Sequence, residues 1–250
     1  MQINTDGLVI MEKTIGESDR LVTLLTRDEG VIRAFSPLAK TLKSKQGSST
    51  QLLCYSRFSI YRGRDKYIIN DAQPIEVFFD LRNDIEKLSL AQYFCELVSV
   101  LVPTEDAAID FLRLILNALH LLAKEKRPNL LIKAAVEMRL LAMSGYMPNL
   151  ICCQGCAVYE SDDMFFLPKR SVLYCGNCYI PTREFACHMG KGVMTALRHT
   201  VYANFDKLFS FQLQSQGQRQ LAHITEQYLT QTLERRFMTL DFYHQIATIQ

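Results

Sequence analysis

From residue 5 to about 80 the apolar and polar positions alternate in short stretches. "GLVIME", "RLVTLLTR", "GVIRAFSPLA", "CYSRFSIYRG" and "KYIINDAQPIEVF" are rich in Val, Ile, Thr, Phe and Tyr, the residue types that fit a pleated surface. Turn residues separate them: Gly16, the pair Glu29-Gly30, "QGSS" at 46–49 and Gly63. No helical run intervenes, so the pattern predicts a small antiparallel barrel or sandwich rather than βαβ units.

Near Leu81 the period lengthens. Leu81, Ile85, Leu88, Ala91, Cys95 and Val98 recur every three or four residues, and Asn83 with Glu86 reads as a capping box opening a helix that Pro103 ends. Thr104 is the expected N-cap of a second helix through "EDAAIDFLRLILNALHLLAKEK". After Pro128, "NLLIKAAVEMRLLAMSG" predicts a third, stopped by Gly145. Two more helices are expected at roughly 189–203 and 215–237, the last with Leu221, Ile224, Tyr228, Leu229 and Leu233 along one side. The fold class is therefore α+β, two-domain: a small N-terminal barrel over residues 1–80, then a mainly helical domain over 81–250. The boundary is a change of period, with no linker, internal repeat or low-complexity tract.

Composition narrows the setting. A hydrophobic fraction of 48% and a charged fraction of 22% over 250 residues are those of an ordinary globular protein. The net charge of +2 is too mild to indicate a nucleic-acid partner by itself. "MQINTDGLVI" lacks a basic region followed by an apolar one, and the most apolar windows fall short of the roughly 20 residues a bilayer needs. A cytoplasmic protein with no membrane contact is expected. There, eight cysteines are not a disulfide framework, and paired Cys-x-x-Cys spacing points to metal.

Those pairs are Cys153/Cys156 and Cys175/Cys178, a C-x2-C-x18-C-x2-C pattern within zinc-site spacing. The intervening "MFFLPKRSVLY" can form a hairpin that brings the second pair back, giving a zinc-binding insertion at about 150–186. Gly176 and Asn177 suit the second knuckle because both tolerate left-handed geometry. Cys152 reads as a spare, small buried residue, and Cys187-His188 as a weaker alternative source of ligands. Four thiolates fill a tetrahedral shell and quench the ion's Lewis acidity, so one structural zinc ion is expected. Neither the His-x-Glu of a deaminase, nor H-E-x-x-H, nor a P-loop, nor a nucleophile elbow occurs. No enzyme constellation emerges.

Charge is distributed unevenly. Residues 31–64 carry seven basic side chains and no acidic one: Arg33, Lys40, Lys43, Lys45, Arg57, Arg62 and Arg64. Phe35, Tyr55, Phe58 and Tyr61 interleave with them. Cationic grooves with aromatic platforms hold single-stranded nucleic acid; a solvated basic face over core aromatics is the other reading.

"DGLVIMEKTIGESDRLVTLLTRDEG", with its run Gly16-Glu17-Ser18-Asp19-Arg20, resembles the opening of the bacterial RecO recombination-mediator family. "YRGRDKY" (61–67), "FFDLRNDIEKLSLAQYFCEL" (78–97) and "LLAMSGYMPNLICCQGC" (140–156) extend the likeness over most of residues 5–190. The resemblance implies an OB-type barrel and a helical domain carrying the zinc knuckle, with Cys153 and Cys156 as the first ligand pair. It implies binding of single- and double-stranded DNA, strand annealing, and complexes with RecR and with the acidic tail of the single-stranded-DNA-binding protein. Through these it implies support for RecA loading at the nucleoid. Arg20 joins Arg33, Lys40, Lys43, Lys45, Arg57, Arg62 and Arg64 as expected phosphate contacts. Lys124, Lys126, Arg127 and Lys133 flank apolar helix faces that could take the acidic tail, although solvated helix ends explain them as well. Two departures touch hairpin geometry: Ala157 and Ser171-Val172 stand where the family often has glycines. A zinc-ribbon transcription regulator is the main alternative, and it lacks a basic recognition helix.

Overall fold

The computed structural model describes residues 1–37, 39, 46–64, 66–104 and 106–249. Five strands form where the two-residue alternation marks them: β1 (Gln2–Ile15), β2 (Asp19–Thr26), β3 (Val31–Ser36), β4 (Cys54–Arg62) and β5 (Tyr67–Val77). They close into a barrel in the order β1-β2-β3-β5-β4. Closure rests on β1. Its first half, Gln2 to Leu8, pairs with β4, and its second half, Gly7 to Ile15, pairs with β2. A register shift between Val9 and Met11 supplies the bend that such a corner needs. A closed ring of five strands cannot be antiparallel throughout, because five is odd. The one parallel seam is β3–β5, with Phe35 opposite Ile68. Val9, Val22, Leu24, Ile32, Phe58 and Ile60 fill the interior.

The β2–β3 turn needs its glycine. Gly30 has φ of +64°, and a Cβ there would lie 2.2 Å from the Pro103 carbonyl oxygen. Thr104 is bridged to Gly30 and so caps nothing. The second helix, α2 (Ile109–Ala123), starts later and without a side-chain cap. The first helix, α1 (Ile85–Leu101), is capped by Asp84, whose carboxylate accepts the Lys87 N–H at 3.1 Å. Asn83, the expected cap, belongs instead to a 3-10 turn over Phe79–Asn83. The expected helix to residue 237 divides into α5 (Ser215–Leu233) and α6 (Met238–Ile249), parted where Glu234 adopts φ of +47°. On α6, Thr239 donates its backbone N–H to Glu96 of α1 at 3.1 Å.

Contacts group the chain into two compact units, Met1–Lys124 with Phe237–Gln250, and Glu125–Arg236. The second unit packs α3 (Asn129–Met143), α4 (Lys191–Tyr202) and α5 against one another. It carries a three-stranded sheet of β6 (Met164–Leu167), β7 (Val172–Cys175) and β8 (Cys187–Met189), in the order β7-β6-β8. Gly145 ends α3's last turn at φ of +91°. Among the described residues, no helix is long and apolar enough to cross a membrane.

Candidate metal centre and nucleic-acid interface

The hairpin expected between the cysteine pairs forms: β6 and β7 are antiparallel, and β7 delivers Cys175 at its end. Cys153 is tied alongside by a parallel bridge to Leu173. One sulfur from each of Cys153, Cys156, Cys175 and Cys178 then lies within 4.8 Å of all the others. The Cys156 and Cys175 sulfurs are 3.7 Å apart, close to the roughly 3.8 Å edge of a tetrahedron built on 2.3 Å zinc–sulfur bonds. Cys152 and Cys187 stay outside the group.

The first knuckle is shaped around Cys153. Its sulfur accepts the N–H groups of Gly155 and Cys175, each at 3.3 Å. Burial pushes this thiol up, but the N–H donors outweigh burial and hold it at about 6. Cys178 is pushed up to about 12 by its hydrogen bonds with Cys156 and Cys175. Gly155 keeps the cluster closed, because a Cβ there would lie 2.9 Å from Cβ of Cys178. The left-handed residues in this region are Ala157 (φ +60°) and Ser171 (φ +58°), and not Gly176 or Asn177. These are the positions where glycine would relieve backbone strain. Four converged soft donors fit a metal ion.

The basic residues separate by role. Arg20 is committed to the barrel: its side chain is 12% exposed, pairs with Glu12 at 3.1 Å and donates to the Gly47 carbonyl and Thr50 hydroxyl at 3.0 Å. Arg57 pairs with Asp6 at 3.0 Å and Arg62 with Glu29 at 3.2 Å, both near the surface where such pairs contribute about 0–1 kcal/mol. Arg33 and Arg64 are exposed with no ion pair to a described residue. Lys40, Lys43 and Lys45 lie outside the described residues. Of the interleaved aromatics, Phe58 is core and unavailable to a ligand. Phe35 and Tyr61 face outward in one register row across four strands, Leu21–Phe35–Ile68–Tyr61.

Of the second basic group, Lys133 does not reach the surface. Lys124 belongs to the first unit, and Lys126, Arg127 and Lys133 to the second. Lys133 is only 1% exposed, so it cannot meet a partner. Its ammonium lies 2.7 Å from Glu137 and 2.8 Å from Glu226, and Thr225 donates to Glu137 at 2.6 Å. Lys133, expected to flank an apolar face open to an acidic tail or to lie on a solvated helix end, sits instead where α3 packs on α5.

The structure adds a site that the spacing did not single out. A cavity of about 470 Å³ is lined by Ile151, Tyr159, Thr195, Arg198, His199 and Tyr202, among others. Arg198 is buried, donates to the carbonyls of Leu150, Ile151 and Tyr159, and lies 3.9 Å over the Tyr159 ring. No carboxylate is among the described residues that line the cavity. An arginine on the apolar face of α4, four residues after Met194, was the available signal.

Residues 1–78 match the family described as Recombination protein O N terminal, and residues 82–241 match Recombination protein O C terminal. The DNA repair protein RecO of Acetivibrio thermocellus is 33% identical over 240 residues, covering 96% of this chain and 95% of its own. Proteins of the same name from Caldicellulosiruptor bescii, at 30% over 241 residues, and Alkaliphilus metalliredigens, at 32% over 179, are also similar. Their alignments cover 96% and 72% of this chain, and 97% and 73% of theirs. With both halves of the chain matched and the cysteine cluster assembled within the second, this protein belongs to the RecO family.

Proposed function

We propose that this chain is a non-enzymatic recombination mediator in DNA repair that binds single- and double-stranded DNA and anneals complementary strands. The observation that carries the reading is the outer face of the barrel. Phe35 and Tyr61 share one row there, while Arg33 and Arg64 stand exposed without a carboxylate partner among the described residues. The strand order with its parallel β3–β5 seam supports an OB-type barrel, whose strand 2–3 face is the usual oligonucleotide surface. Lys40, Lys43 and Lys45 extend the positive charge along the sequence, and Arg57 and Arg62 can exchange weak surface pairs for phosphate.

One structural zinc ion held by Cys153, Cys156, Cys175 and Cys178 would cross-link the β6–β7 hairpin to the preceding loop. With all four positions taken by sulfur it offers no site to a substrate. In this reading the protein works in the cytoplasm at the nucleoid, with RecR, and supports RecA loading on DNA coated by the single-stranded-DNA-binding protein. That protein's acidic tail suits the Arg198 cavity, where a buried cation meets aromatic and apolar walls without a neutralising carboxylate. Titration of a labelled acidic-apolar peptide against Ile151→Ser/Tyr202→Ala should show weaker binding than wild type; equal affinity removes the cavity from the interaction.

An annealing assay tests the whole reading, using complementary oligonucleotides coated by single-stranded-DNA-binding protein. Faster strand pairing without cleavage is expected. Cleavage on adding magnesium would indicate a nuclease, and tight preference for one duplex sequence a zinc-ribbon regulator.

A further inference from the structure

The small sheet of the second unit has two unlike faces. Met164, Phe166, Leu173, Cys175, Cys187 and Met189 are buried on one. Phe165, Val172, Tyr174 and His188 alternate onto the other, half-buried or exposed. Register sets Phe165 opposite Tyr174 on one neighbouring strand and opposite His188 on the other. Three rings thus form a single row across β7-β6-β8. Tyr179, the residue after the last cysteine ligand, lies parallel to Phe165 with centroids 4.0 Å apart. His188 lies 5.0 Å from Phe165. At the other end Arg170 donates to the Tyr174 hydroxyl at 3.2 Å and sits 5.7 Å over its ring.

This face is not required to close the core, which the opposite face already does. Its two aliphatic residues, Leu167 and Val172, pair with each other at one end and Leu167 is buried, so the face does not resemble the apolar patch of a protein interface. Half-buried rings layered toward the surface, with Tyr179 outermost over Phe165, and two exposed cations, Lys169 and Arg170, at the turn beside them, match a ligand that presents flat bases joined by phosphates. The nearby Asp163 carboxylate is held by His188 at 2.6 Å, which tempers its repulsion of phosphate.

We propose that the solvent face of β7-β6-β8 is a second DNA contact, a stacking platform for the bases of a single strand, with Tyr174 and Tyr179 as the stacking rings, Phe165 supporting Tyr179 from beneath, and Arg170 on the backbone. The proposal rests on the DNA-binding reading above and adds a second base-stacking surface to that of the barrel.

The test compares two labelled strands of equal length, one with bases and one abasic. Wild-type protein is expected to bind the base-bearing strand roughly tenfold more tightly, the effect of one or two stacked bases. Phe165→Leu/Tyr174→Leu should lower that preference several-fold while leaving abasic affinity and its salt dependence unchanged. Phe242→Ala, an exposed ring on neither surface, should leave the preference in place. The platform is overturned if wild type binds both strands equally, if the preference is undiminished in the double variant, or if Phe242→Ala lowers it as much. Failure to bind either strand would overturn the DNA-binding reading itself, and the platform with it. Photo-crosslinking of a 5-iododeoxyuridine strand to the unaltered protein avoids any folding defect of the variants. Adducts at Phe165, Tyr174 or Tyr179 are expected; adducts confined to residues 1–80 reject the proposal.

Discussion

A methyl group on Gly155 would stand 2.9 Å from Cβ of Cys178 and 3.0 Å from its sulfur, against 3.4 Å for ordinary contact. Neither atom is the free end of a flexible chain. Cys178 is an expected ligand, and its N–H donates to the Cys175 carbonyl at 3.0 Å. Gly155 is held too, by its N–H bond to the Cys153 sulfur. The strain of Gly155→Ala, about 1–3 kcal/mol for such overpacking, therefore falls on the cluster. A ligand sulfur displaced by about half an ångström should lower zinc affinity by roughly 10- to 100-fold, equivalent to about 1.4–2.8 kcal/mol. Ala157→Gly, in the same knuckle, has the opposite sign. Ala157 has φ of +60°, and glycine there relieves about 1 kcal/mol of left-handed strain, so zinc should bind at least as tightly. Competition with a chromophoric chelator at fixed pH measures both affinities. Unchanged affinity in Gly155→Ala, or weaker affinity in Ala157→Gly, would refute the claim that these residues set the knuckle's geometry.

Lys133→Met strips the cation from between Glu137 and Glu226 and should destabilise the second unit by about 3–5 kcal/mol in urea denaturation, while Lys133→Met/Glu137→Leu should recover most of that loss. Burial, ahead of all else, raises the Glu137 carboxyl, so the folded state takes up its proton at higher pH than the unfolded chain. Without Lys133 that difference grows, and the single variant should gain stability as pH falls through the window just above the ordinary carboxylate range. Arg33→Ala and Arg64→Ala should each lower the single-strand salt slope by roughly 0.7 without a change in melting. Arg20→Ala should instead cost about 1–3 kcal/mol of barrel stability, for its lost bonds to Glu12, Gly47 and Thr50; a normal melting curve with a reduced salt slope would return Arg20 to the DNA surface. Chelation should make residues 150–186 sensitive to protease, and unaltered resistance would remove the structural role of the metal.

Element type was legible because it depends on neighbours in sequence. Alternation marked all five barrel strands, three- and four-residue spacing marked α1 to α5, and Cys-x-x-Cys spacing marked the four sulfurs that converge. Boundaries were less legible. Asp84 rather than Asn83 caps α1, and no glycine or proline announces the break between α5 and α6.

What a side chain does was decided by partners far along the chain. Arg20 looks like the other cations of the basic run until the fold brings Gly47 and Thr50 to it. Lys133 looks solvated until α5 supplies Glu226, 93 residues away. Phe58 becomes core because an odd ring of strands closes over it, while Tyr61, three positions on, stays outside. Composition and spacing thus determined the elements, the charge and the four cysteines that converge. Closure of the barrel and the packing of α3 on α5 decided which charges are neutralised and which rings face water, because burial and pairing are properties of space rather than of sequence order.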